Sequence, residues 1–138
     1  RLEGFRNHLE SISEASYREK DHFTIDEVTY ENAYRKTVGW VSELSGYDGL
    51  FVDSDICAVA VCNALQDNGV RVPQDVAVVG YDDVEWARFC RPPLSTIHQP
   101  VERLVETAVE EILTRVRDGK ESRRCEMFTP RYVRRGSC

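Results

Sequence analysis

Arg71-Val72-Pro73-Gln74-Asp75-Val76-Ala77-Val78-Val79-Gly80-Tyr81-Asp82-Asp83 is the stretch on which the fold turns. Val76 to Val79 form an uninterrupted apolar run with turn residues on both sides, the pattern of a central strand covered on both faces. A second such run, Leu50-Phe51-Val52, lies upstream, and Asp53, Ser54 and Asp55 follow it where a helix N-cap belongs. Ile56, Val59, Ala60, Ala64 and Leu65 carry the helix between the two runs, and Asn68-Gly69 closes it. Strand, helix, strand in that order implies a right-handed crossover and a parallel pair.

Outward from this unit the alternation continues. Leu2, Phe5, Leu9 and Ile12 repeat at helical spacing; His22 to Ile25 reads as a short strand. Ala33, Tyr34, Val38, Val41 and Leu44 line one face of a helix that Gly46 would end. Beyond the Pro92-Pro93 break, Leu94 to Ile97 reads as another strand. Pro100 then opens the strongest helix of the chain, with a continuous stripe from Val101 through Leu104, Val105, Ala108, Val109, Ile112 and Leu113 to Val116, before Gly119. The last segment, Cys125 to Arg134, is β-like but polar. The predicted class is α/β, with a mostly parallel, doubly wound sheet.

With 138 residues the chain builds at most one compact unit. Its net charge of -6 argues against a surface that neutralises nucleic-acid phosphates by itself, so any DNA contact belongs to another part of the protein. Five cysteines, at 57, 62, 90, 125 and 138, form no C-x-x-C pair and no metal-ligand spacing with His8, His22 or His98. Reduced, mostly structural thiols, no metal and no cofactor are therefore expected. No apolar run reaches transmembrane length, and a cytoplasmic protein is expected.

In parallel sheets ligands bind beyond the carboxyl ends of the strands. Two polar clusters stand there, Asp53-Ser54-Asp55 after one strand and Asp82-Asp83 after the next. Helix capping alone accounts for Ser54 and Asp55, while their pairing with Asp82 on an adjacent strand favours a binding site. A carboxylate-dependent hydrolase is the rival from another class, since Asp-x-Asp after an apolar strand suits magnesium-dependent phosphoryl transfer. Against it, Asp55 is followed by Ile56-Cys57 rather than Thr, without a suitably placed Lys. Phosphate-binding and nucleophile-elbow motifs are absent too, so no enzyme is expected.

The order of motifs resembles one family closely. Asp55-Ile56-Cys57-Ala58-Val59 and the run from Ala64 to Asp83, then Pro92-Pro93-Leu94-Ser95-Thr96-Ile97-His98-Gln99-Pro100 and Pro130-Arg131-Tyr132-Val133-Arg134-Arg135-Gly136-Ser137, are similar to the hallmark segments of the lac repressor (LacI/GalR) family of transcription regulators. The resemblance implies a two-lobed core like that of periplasmic sugar-binding proteins, with a sugar or purine-like effector in the cleft. Residues 1–138 would supply most of the C-terminal lobe, about 101–118 being a helix of the N-terminal lobe, with the DNA-binding head outside this chain. A periplasmic sugar-binding protein of a transporter is the alternative within the same fold.

The resemblance also assigns residues. Arg1 opens a segment similar to the family's R-x-x-G-F, whose Arg bonds the effector; Asp82 matches its effector-binding Asp. Ser54 stands where such repressors carry Asn or another small polar residue. Val28 replaces an aromatic that stacks on the ligand, and Tyr30, two positions on, is the candidate substitute. Family members form dimers through the C-terminal lobe, which implies contacts from Val59, Cys62, Asn63, Phe89 and Cys90. Because each aliphatic side chain gains about 1.5 to 3 kcal/mol on burial, the stripe of residues 101–116 is expected to be covered by a neighbouring copy or by folding back onto the sheet.

Overall fold

The computed structural model describes residues 2–12, 17–119 and 125–138. Four α-helices, α1 (Leu2–Ser11), α2 (Tyr30–Leu44), α3 (Asp55–Asp67) and α4 (Val101–Asp118), accompany four strands: β1 (Gly49–Phe51), β2 (Ala77–Asp82), β3 (Ser95–His98) and β4 (Arg131–Val133). The sheet order is β1-β2-β3-β4, with β1, β2 and β3 parallel and β4 antiparallel to β3. A mixed, mostly parallel α/β sheet is thus what the apolar runs encode.

The centre of the core is α3, whose Cys57, Ala58, Val59, Ala60, Cys62, Ala64 and Leu65 are all buried. Small residues on nearly every side let α3 sit between β2 and α2. Leu65, Val78 and Leu94 are wholly inaccessible and meet in one cluster with Val59, Cys62, Val72 and Ala87. On α2, Thr29 caps the first turn by accepting from the Asn32 N–H at 3.3 Å. At its other end α2 is capped at Ser45 in a helical conformation, and the amides of Ser45, Gly46 and Tyr47 bond back to Val41 O, Glu43 O and Leu44 O.

Four sequence readings need correction. His22 to Ile25 belongs to no ladder; Phe23 instead leans on Trp40 at 5.2 Å and meets Tyr47 edge-on at 6.0 Å, so aromatic packing accounts for its apolar character. Strand β2 runs on through Gly80, Tyr81 and Asp82, read as its terminator, because Gly80 pairs with Thr96 and Asp82 with His98. Of Cys125 to Arg134 only Arg131–Val133 becomes a strand, since β3 offers partners for no more than that. Finally, of the two covers expected for α4, a neighbouring copy or the sheet, the sheet is not used. The α4 stripe stays open, from 37% exposure at Leu104 to 77% at Val116, and Arg103 reaches only the Phe128 ring, at 5.6 Å. The chain leaves the sheet here because α3 already covers β2, and the end of β3 is tied to the β2 loop through His98 and Gln99.

The polar tail closes the structure. Ser137 is fully buried; its hydroxyl donates to Val78 O at 2.7 Å and accepts from Ser95 N–H at 2.8 Å, while its carbonyl accepts from Val78 N–H. It therefore stitches β2 to the start of β3. Ser137→Ala would strip a buried amide of its acceptor, worth roughly 1 to 3 kcal/mol. A urea midpoint that falls by the corresponding amount is expected; an unchanged midpoint would refute this role.

Candidate functional site

Parallel register builds the site. Phe51 pairs with Val79, so Ser54 and Asp82 each stand three residues further along, at the carboxyl ends of neighbouring strands. Ser54 occupies the N-cap position of α3 in an extended conformation, yet its side chain makes no capping bond. Its backbone carbonyl does, accepting from Ala58 N–H at 2.9 Å. Asp82, half-buried, accepts from the Gln99 side-chain amide at 2.7 Å. The sheet register thus sets both candidates at its carboxyl edge.

Asp55 is no surface cap. Wholly inaccessible, its carboxylate accepts from Val84 N–H at 2.9 Å through one oxygen and from the Thr96 hydroxyl at 2.6 Å through the other. Between these anchors Asp82 and Asp83 both take positive φ, 126° and 58°. Asp tolerates this region better than most residues, but such conformations still cost about 1 to 3 kcal/mol each and persist where surroundings fix them.

The fixing contacts are all here. Asp83 N–H donates to Thr96 Oγ1 at 3.4 Å, and the Asp83 carboxylate pairs with Arg135 on one oxygen and with His98 Nδ1, at 2.9 Å, on the other. Arg135 also donates to Leu94 O at 2.8 Å. Burial pushes the Asp83 carboxyl up, but the Arg135 guanidinium and then His98 outweigh it and hold it below the usual carboxylate value. Asp83 is accordingly a structural anion, and Asp82 the member of the pair turned to Gln99.

The remaining sequence candidates divide. Arg1 lies outside the described residues. Val28 is 62% exposed and lines a cavity of about 670 Å³ together with Phe5, Phe51, Val52 and Asp53. That cavity reaches Asp53 but neither Ser54 nor Asp82 is among its lining residues. Tyr30 stacks on Tyr34, ring centres 6.1 Å apart, and its hydroxyl accepts from Asn63 at 2.8 Å, so ring and hydroxyl join α2 to α3. Of the expected interface residues, Phe89 is 77% exposed, Asn63 and Cys90 are half-buried, and Val59 and Cys62 are already buried in the chain's own core. The last two offer a partner little surface. Burial also pushes the Cys62 thiol up to about 12, leaving it an unreactive core group. All five cysteines are free thiols.

Thr96, Gln99, His98 and Arg135 escaped the motif reading as site residues. Their partners lie 13 to 52 positions away in sequence. Only the resemblance of the segments at residues 92–100 and 130–137 marked them, as motif members without roles.

Comparison with known proteins agrees with this architecture. The periplasmic binding protein-like domain family matches residues 1–138. The ribose operon repressor of Haemophilus influenzae is 36% identical over 138 residues, 99% of this chain and 41% of the repressor. The HTH-type transcriptional repressor PurR of Photobacterium profundum is 35% identical over 138 residues, 99% of this chain and 40% of its own length. A solved complex of the transcriptional regulator CelR with cellobiose superposes with a TM-score of 0.89 at 26% identity, covering 99% of this chain and 41% of that one. The chain belongs to the periplasmic-binding-protein-like family of domains. Within it, the chain groups with the effector domains of lac repressor-type transcription regulators. It spans about two fifths of the length of these relatives.

Proposed function

We propose that this chain is the C-terminal part of the effector-sensing domain of a cytoplasmic transcription regulator that binds a small polar molecule such as a sugar or purine. The observation that supports the reading best is the place of Asp82, at the carboxyl end of β2 with its backbone fixed, beside the strand end that Ser54 follows. A carboxylate accepts hydrogen bonds from sugar hydroxyls or ring N–H groups, and Ser54 has a hydroxyl that no helix cap consumes. Arg1 would add a forked donor set. Val28 in place of an aromatic favours a ligand held by hydrogen bonds over one held by ring stacking.

Residues 1–100 and 119–138 form the C-terminal lobe in this reading, and α4 contributes to the other lobe, which accounts for its open stripe. Phe89, with Trp86 43% exposed beside it, would seat a second copy, Asn63 and Cys90 lying at the margin. DNA is contacted by a separate head, in keeping with the net charge of -6. No helix among the described residues is long and apolar enough to cross a membrane. The role is regulatory rather than enzymatic.

A thermal-shift screen of ribose, cellobiose and hypoxanthine against the intact protein tests the reading. A ligand that binds only the native state stabilises it by about 2.7 kcal/mol at one hundred times its Kd, a shift of several degrees. No shift with any of the three, together with turnover of a chromogenic phosphate or glycoside, would replace the regulator by a hydrolase.

A further inference from the structure

The Asp55 carboxylate does more than a helix terminus requires. Its two oxygens serve donors on two different elements, the Val84 amide beyond β2 and the Thr96 hydroxyl on β3, while its own backbone starts α3. Thr96 Oγ1 in turn receives the Asp83 amide. A carboxylate has acceptors only, so it satisfies two donors at once; an amide at the same place would have to turn its NH2 toward one of them. Full burial keeps water from replacing either bond. Gly80 completes the arrangement, because a Cβ there would stand 2.3 Å from Asp55 Oδ1.

We infer that Asp55 is a positioning residue that makes the Asp82 end of β2, with the loop after it, and the amino end of α3 move as one body, so that occupancy at Asp82 is felt along α3. The proposal rests on the reading of Asp82 as an effector contact. Its physical basis is that residues 82–84 hold two consecutive positive φ values, and on the α3 side the Asp55 carboxylate is what the described contacts offer to hold them. Arg135 and His98 tether Asp83 from residues 130–137 and from β3, and on the α3 side Asp55 adds the hydrogen-bonded link to the apolar packing of Val84 and Ala87.

Amide hydrogen exchange on the intact protein tests this, using Asp55→Asn and the similarly shaped Thr96→Val, with Ser137→Ala as a destabilised control that leaves the Asp55 contacts in place. Both variants are expected to speed exchange at residues 82–86 at least tenfold more than at Leu65, whereas Ser137→Ala raises exchange at residues 82–86 and at Leu65 by a common factor. Uniform acceleration in Asp55→Asn and Thr96→Val, or none, would overturn the proposal. In a parallel titration with ribose and cellobiose, the variants should bind whichever sugar the unmodified protein binds about tenfold more weakly. If the unmodified protein binds neither sugar, the effector reading loses its support, and the ligand-free exchange pattern still decides on Asp55.

Discussion

Gly80→Ala is expected to destabilise the fold by roughly 3 kcal/mol or more, a large share of the 5 to 15 kcal/mol that holds a domain together. The new methyl would lie 2.3 Å from Asp55 Oδ1, 2.9 Å from Leu94 Cδ2 and 3.2 Å from Ala58 Cβ. Asp55, Ala58 and Leu94 are all wholly inaccessible, so none can swing into solvent. Either β2 moves off α3, opening the core, or the Asp55 carboxylate gives up Val84 and Thr96, leaving buried donors without acceptors. The backbone conformation is not at issue, as Gly80 lies within regular strand β2. Urea unfolding of the single variant checks it; a midpoint within experimental scatter of the parent would show that the core yields more easily than these distances allow.

Asp82→Ala should instead leave the chain folded, at some cost because Ala tolerates the positive φ here less well than Asp, and weaken the response. Asp82 is half-buried at a strand end, and its loss leaves the Asp83, Thr96 and Asp55 contacts in place. A hydrogen bond from a ligand to a charged acceptor contributes about 1.5 to 3 kcal/mol, so affinity for a responsive sugar should fall roughly 10- to 150-fold. Calorimetric titration of the variant beside the parent gives the ratio, and far-ultraviolet dichroism reports on the fold. Unchanged affinity in a folded variant would move the effector away from the β2 end.

How far the sequence reaches is clear from these two residues. The place of Asp82 was legible, since an apolar strand followed by a turn sets its end residue at the carboxyl edge of a parallel sheet. The two apolar runs and the helix between them were legible for the same reason: periodicity is a local signal. Asp55 was misread, its carboxylate assigned to a local cap when its partners lie 29 and 41 positions away, because polar pairs at long range leave no periodic trace. The apolar pattern at residues 22–25 misled in another way. Alternation reports burial of Phe23, but a strand also needs a neighbour with open hydrogen-bonding groups, and none of the described strands pairs with it. Likewise the stripe on α4 states that the helix needs a cover without saying which surface supplies it.

Ser137 has a bearing on how the molecule is made. A chain emerging from the ribosome can form α2, β1 and α3 early, yet the seam between β2 and β3 waits for a residue 59 positions after Val78. Nascent polypeptides are thus held with an unfinished sheet until almost the last of these residues is synthesised. A stop codon at position 135 would take Arg135 from Asp83 and Ser137 from Val78 and Ser95 together, and chaperones and proteases would meet the product as a folding intermediate rather than a shortened native fold.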